Sequence, residues 1–285
     1  MNAIEEWLSQ RVADARLGPA ARRVVEIVAT QPHLASYAST ADLAERAGVN
    51  VATVVRTARS LGFTGWPDLR LELRSRYLGS LSANQVLAEH EWQVADDPIS
   101  AAIRRDIENL ETFARTVDAQ AVRALAASIH AADRTVVAGS GTFAAPGMQL
   151  VHAGTTMGLD MRLERHFGTA LANTVSRLRQ GDVFVAVNFW WLPQQLLDAA
   201  EVASERGATV GVVTDQRTSA LTDSAAHVVV VPSEGASSFP SLTAAMSLMH
   251  ALLAELARLG DGQVQDAMNR SEETWRRMRL FHRQP

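Results

Sequence analysis

Two short runs in the second half of the chain carry residue types from which a small-molecule site could be built. Gly139-Ser140-Gly141-Thr142-Phe143 follows an apolar run and opens a helical pattern, so its backbone N–H groups and two hydroxyls can face an anion at a helix N-terminus. With Ala144 it also fits G-x-G-x-x-A, and Glu164 falls where a ribose-binding acid could stand, which leaves a nicotinamide-dependent enzyme as an alternative. The second run, Asn188-Phe189-Trp190-Trp191-Leu192-Pro193-Gln194, puts three aromatics in a row where a connecting loop is ordinarily small and polar. They either pack in a core or an oligomer contact, or they wall a pocket for an apolar, cationic or unphosphorylated ring oriented by Asn188 and Gln194. His166 in ERHFG and Glu234 in PSEGASSF are further candidates for polar contacts, or groups satisfied within the fold. The histidines and acids show no metal-ligand spacing such as H-x-x-x-H, and no cofactor is called for.

A third run lies near the N-terminus. Thr40 to Leu61 has the proportions of a helix-turn-helix: a short helix capped by Ser39 or Thr40, a turn containing Gly48, and a second helix beginning at Asn50. The first half of that second helix would enter the major groove of double-stranded DNA. Thr40, Asn50, Val51, Ala52, Thr53, Arg56, Thr57 and Arg59 are the candidate DNA contacts, with Arg59, Arg70, Arg74 and Arg76 expected on the phosphate backbone. Charge agrees. The whole chain has a net charge of -4, yet residues 16–79 hold nine arginines against five acids.

Length and composition fit this division of labour. At 285 residues and 47% hydrophobic content the chain can bury two cores. It has no cysteine, which removes disulfides, thiolate metal sites and thiol nucleophiles together. The opening MNAIEEWLSQ has acids where a secretion signal needs a basic start, and no apolar run is long enough to span a membrane, so a cytoplasmic location without membrane contact is expected.

The elements that must position these residues change character along the chain. Helical patterns fill the first part: residues 19–31 with Pro19 at the start, 40–47, 50–62 and about 66–78. Residues 79–98 lose periodicity and read as a linker, and 98–117 form an amphipathic helix with Ile99, Ile103, Ile107 and Leu110 on one face. Beyond Asp133 come five short β-branched runs, 135–139, 159–163, 183–188, 209–215 and 227–232, with helical patterns between them. Continuous apolar strands of this kind belong in a parallel sheet covered on both faces. A long helix over 238–260 and an arginine-rich tail helix close the chain. The expected fold is an all-α helix-turn-helix domain (1–79), a linker and connecting helix (80–117), and a doubly wound α/β domain (118–285).

The stretch LGPAARRVVEIVATQ…STADLAERAGVNVATVVRTARSLGFTGWPDLRLELR resembles the N-terminal domain of the MurR/RpiR family of bacterial regulators, and the α/β half resembles a sugar isomerase (SIS) domain. The resemblance implies a non-enzymatic transcription regulator, homodimeric or homotetrameric, that binds an operator and whose SIS domain binds a small-molecule effector. It leaves a sugar-phosphate isomerase with an appended helical domain as an alternative. It also implies a difference. Relatives that bind sugar phosphates carry a Ser-x-Ser-Gly-x-Thr run where this chain has Asn188, Trp190, Trp191 and Pro193. Without that hydroxyl cradle, the expected effector is not a simple sugar phosphate but a ring-containing or cationic compound stacked on Trp190 or Trp191.

Overall fold

A computed structural model describes residues 3–13, 15–91 and 97–282. The chain divides into two compact units, one comprising residues 1–105 together with 234–240, the other 106–233 and 241–285.

Helices build the first unit: α1 (Ala3–Ala13), α2 (Pro19–Thr30), α3 (Pro32–Tyr37), α4 (Thr40–Arg46), α5 (Val51–Ser60), α6 (Trp66–Ser80) and α7 (Ala83–Glu91). Helix α8 (Pro98–Thr116) begins in this unit and ends in the other. Ile4, Trp7 and Leu8 of α1 join Val24, Val28, Leu43, Val54, Trp66, Leu69 and Leu73 in a single core. Each fully buried side chain of this size contributes roughly 1.5–3 kcal/mol relative to exposure.

Two stretches differ from the sequence reading. Residues 83–91, expected as linker, form α7, because Ser82 and Gln85 cap each other's backbone N–H groups (2.9 and 3.3 Å) and Val86 is fully buried. The remainder of that stretch, 92–96, lies outside the described residues. The apolar stripe of α8 is present, but Ile99, Ile103 and Ile107 are 73%, 57% and 50% exposed.

The second unit contains α9 (Ala119–Ala131), β1 (Thr135–Ala138), α10 (Ala144–Thr156), β2 (Met161–Glu164), α11 (Thr169–Val175), β3 (Val183–Val187), α12 (Gln194–Glu205), β4 (Thr209–Thr214), α13 (Ala220–Asp223), β5 (His227–Val230) and α14 (Thr243–Met278). The five strands are all parallel, in the order β2-β1-β3-β4-β5. Every residue of β1 and β3 is buried, which is why those strands read as unbroken apolar runs rather than alternating ones. On one face, Val136, Phe184, Val210 and Val212 pack against Leu171, Val175, Leu196 and Ala200 of α11 and α12. Helices α9 and α10 cover the other, and α14 packs on both of them. The two closing helices expected from the sequence run together as α14, which kinks at Asp261 (φ 41°, ψ −130°). Among the described residues no helix is long and apolar enough to cross a membrane.

Candidate DNA-reading and effector sites

The helix-turn-helix is set by local capping. Ser39 accepts from the Asp42 N–H at 3.2 Å while Asp42 accepts from the Ser39 N–H at 3.1 Å, so α4 starts on a reciprocal cap. The turn needs a left-handed residue, supplied by Gly48 (φ 59°), and the Val49 N–H closes it on Ala44 O. Arg23 reaches across to the carbonyls of Ala47 and Gly48 and pins the turn from outside. Asn50 then caps α5, its side-chain oxygen accepting from the Thr53 N–H and hydroxyl at 2.8 and 2.9 Å. Leu43, Ala44, Val54 and Ala58 fill the angle between the helices.

This geometry sorts the sequence candidates. Val51, Ala52, Arg56 and Arg59 face solvent and Thr40 is half-buried. Arg56 lays one guanidinium nitrogen on the Thr53 hydroxyl (3.1 Å), so its arm is steadied by the α5 cap. Thr53 and Thr57 are corrections: both are buried, and the Thr57 hydroxyl donates to Thr53 O at 2.8 Å. They fall one turn apart on the inward-turned side of α5 and not on its open face. The arginines of α6 are corrected too. Arg70 donates to Ala38 O, Arg74 covers the Tyr37 ring and pairs with Glu234, and Arg76 pairs with buried Glu72 over Trp7. Burial, then neighbouring Arg74, holds the Arg70 guanidinium below its usual pKa; burial, then Glu234, pushes the Tyr37 phenol up. Arg59 gives its Nε to Thr64 O at 3.2 Å. Much of the local positive charge therefore serves the fold.

Replacing Asn50 with alanine removes the cap from the first turn of α5, and a stability loss of about 1 kcal/mol in urea unfolding is expected. A loss below about 0.3 kcal/mol would show that water caps the turn equally well.

In the second unit the strand order reverses at β1 and β3, and the loops after these two strands are neighbours at the carboxyl edge. After β1, a Cβ on Gly139 would lie 2.8 Å from Phe143 O, so the chain can fold back there only with glycine. Gly141 is left-handed (φ 55°), Ser140 is half-buried, and Gly141 and Thr142 are exposed. Neither the short 3₁₀ turn at 141–143 nor α10 has a side-chain cap, so N–H groups at this start are left to solvent or ligand. Glu164 is turned inward, taking the Thr174 hydroxyl (3.0 Å) and the His166 N–H (3.2 Å), an orientation built for the fold and not for a ribose.

The aromatic run separates into three fates. Phe189 is wholly buried and meets the Phe143 ring edge-on across the switch point, centroids 5.6 Å apart. Trp190 is also buried and holds a left-handed backbone (φ 53°), a strained conformation for an aromatic residue. Its N–H points to Asp215 Oδ1 at 3.4 Å. Trp191 is 40% exposed and stands edge-to-face with Trp190 at 5.9 Å. Asn188 is buried; with its amide oriented to suit the network, it donates to Trp191 O (3.1 Å) and accepts from the Phe189 N–H (3.2 Å). Phe189, Trp190 and Asn188 thus shape the loop, while Trp191 alone of the three aromatics presents a ring to solvent. His166 and Gln194 are exposed, with Gln194 bonded to Asp198 (2.7 Å). Glu234 lies in the first unit, where Arg74 and Arg105 (3.4 Å) both grip it.

Asp215 and Ser233 were not among the sequence candidates. Asp215 is buried at the end of β4, holding the Trp190 N–H on one oxygen and the Ser233 hydroxyl (2.8 Å) on the other. A carboxylate directly after an apolar strand, in TVGVVTD, was the available signal. Among the described residues no group of three or more histidines and acids could hold a metal ion.

Residues 4–79 match the helix-turn-helix domain of the rpiR family. The transcriptional regulator HexR of Pseudomonas aeruginosa is 27% identical over 221 residues, which span 74% of this chain and 72% of HexR. The sugar isomerase domain of the RpiR transcription factor from Sphaerobacter thermophilus superposes with a TM-score of 0.58 at 26% identity, over 60% of this chain and 96% of that one. The NanR protein of Vibrio vulnificus, solved with ManNAc-6P, shares the fold along 98% of this chain and 100% of its own, with a TM-score of 0.60 and 20% identity. Residues 4–79 thus carry a helix-turn-helix domain of the rpiR family, and the parallel five-stranded sheet that follows is similar in fold to the sugar isomerase domain of an RpiR transcription factor.

Proposed function

We propose that this regulator is controlled by a small molecule held against the loops after β1 and β3, and that the molecule is not a simple sugar phosphate. The observation that carries this reading is the 188–193 loop. Where a phosphate would need hydroxyl donors, the loop has an amide spent on its own backbone, a buried indole and one exposed indole. A phosphate there would lose charge-assisted hydrogen bonds and face apolar surface. The uncapped start at Gly141 and Thr142 still suits a carboxylate. A ring-bearing ligand stacked on Trp191, with an anionic group at residues 141–142, uses both features.

We further read residues 1–79 as the DNA-binding domain and 118–285 as the effector domain, acting without catalysis as a homo-oligomer on a two-fold operator. The exposed isoleucines of α8 support the oligomer, since a contiguous apolar stripe on a helix is commonly covered by a partner.

Thermal stabilisation of the purified protein by a metabolite library, with hexose, pentose and amino-sugar phosphates as one panel, tests this. Ring compounds carrying a carboxylate or a cation are expected to raise Tm and weaken DNA binding, and Trp191→Ala is expected to abolish that response while keeping effector-free DNA affinity. Micromolar binding of any sugar phosphate that releases DNA would overturn the reading.

A further inference from the structure

We propose that the front of helix α5 reads thymine through its 5-methyl group, with Val51 as the specificity-determining residue; this rests on residues 1–79 being the DNA-binding domain. The open face of α5 consists of Val51, Ala52, Arg56 and Arg59, with half-buried Val55 among them. These positions fall at i, i+1, i+4, i+5 and i+8, which is one continuous face of a helix. Up to Arg56 that face is apolar. The hydroxyls that could have read a base, on Thr53 and Thr57, are buried on the other side. Asn50, at the cap, has its side-chain oxygen committed to the Thr53 N–H and hydroxyl at 2.8 and 2.9 Å. Both acceptor positions of that oxygen are thereby filled, so the two-bond pairing of an asparagine with adenine is not open to it. Arg56 is the first side chain of α5 on this face with donors to give, and it stands more than a turn behind Val51.

The fold gives Val51 little reason to be a valine. It is 49% exposed and takes no part in the core that holds Val54 and Ala58 of the same helix. A β-branched residue in an exposed first turn serves the helix less well than alanine would. The charges at this end point the same way. Helices α4 and α6 carry Asp42 and Asp68 in their first turns, where an acid suits the helix dipole, whereas α5 has no acid there. Its front is therefore free of a charge that phosphates would repel. Each Cα–Cβ bond of a helix tilts toward the N-terminus, so Val51 reaches ahead of α5. In a helix-turn-helix the start of the second helix meets base edges in the major groove. The 5-methyl of thymine is the apolar group that base edges present there, and an apolar tip without donors suits it and not the polar edge of cytosine or guanine.

The test exchanges thymine for uracil, which deletes the methyl group and keeps every hydrogen-bonding position of the base. Full-length protein first selects a duplex from a random DNA library, and each thymine of the selected duplex is then replaced singly by deoxyuridine. One or two of these replacements are expected to weaken wild-type binding by about fourfold, the worth of one buried methyl-sized group. Val51→Ala is expected to bring that ratio to about one, because the two changes remove the same contact. In Arg56→Ala the ratio is expected to persist on weaker binding overall. Equal wild-type affinity for thymine and uracil at every position would overturn the proposal, and would mean that the front of α5 lies against the sugar-phosphate backbone. An undiminished ratio in Val51→Ala would overturn it as well. Selection of no duplex at all would overturn the DNA-binding reading beneath it, so the two failures are told apart.

Discussion

Replacing Trp66 with alanine is expected to lower the stability of the first unit by about 3–5 kcal/mol. Trp66 is 1% exposed, opens α6 behind Gly65, and packs in the core that also holds Val54 of α5. Its indole N–H donates to Ala38 O at 3.0 Å, ahead of the Ser39 cap of α4. The change therefore opens a cavity and removes a hydrogen bond that fixes the entry to the helix-turn-helix. Urea unfolding followed by circular dichroism measures it, and DNA binding should fade with the folded fraction. Trp191→Ala, at an exposed ring, is the internal comparison and should cost less than about 1 kcal/mol. A loss of similar size in both variants would mean that Trp66 is not a keystone of this core.

The second large effect concerns recognition. Arg56→Ala is expected to weaken binding to the selected duplex by about 1–3 kcal/mol. Val51, Ala52 and Arg56 form the exposed part of the first turns of α5, and Arg56 is steadied by Thr53, itself held by the Asn50 cap. If Arg56 reads a base edge, preference at one position relaxes; if it holds a phosphate, affinity falls evenly and the salt dependence drops by about one unit of slope. Thr57→Val removes only a buried hydroxyl bonded to Thr53 O, so sequence preference should stay as it was. Unchanged affinity in Arg56→Ala, or altered preference in Thr57→Val, would reverse the assignment of faces.

Features that depend on near neighbours were legible in the amino-acid order alone. The five strands stood out because a strand covered on both faces must be apolar throughout, and the runs at 135–138 and 183–187 are buried along their whole length. The helix-turn-helix was legible because caps and a left-handed glycine act within four residues of one another. Further local signals lie in the sequence: the Ser82–Gln85 cap that starts α7, Ile4, Trp7 and Leu8 on one face of α1, and the helical period that turns Thr53 and Thr57 inward. Other features had no local signal at all. Whether Arg74 meets phosphate or protein is decided by Glu234, 160 positions away, and the fate of the aromatic run is decided by Phe143 across the sheet edge and Asp215 at the end of β4. Composition could say that three aromatics stand together; only the tertiary structure, by burying two of them and straining the backbone between, decided that one ring faces the solvent, because burial is a property of what the rest of the chain brings alongside.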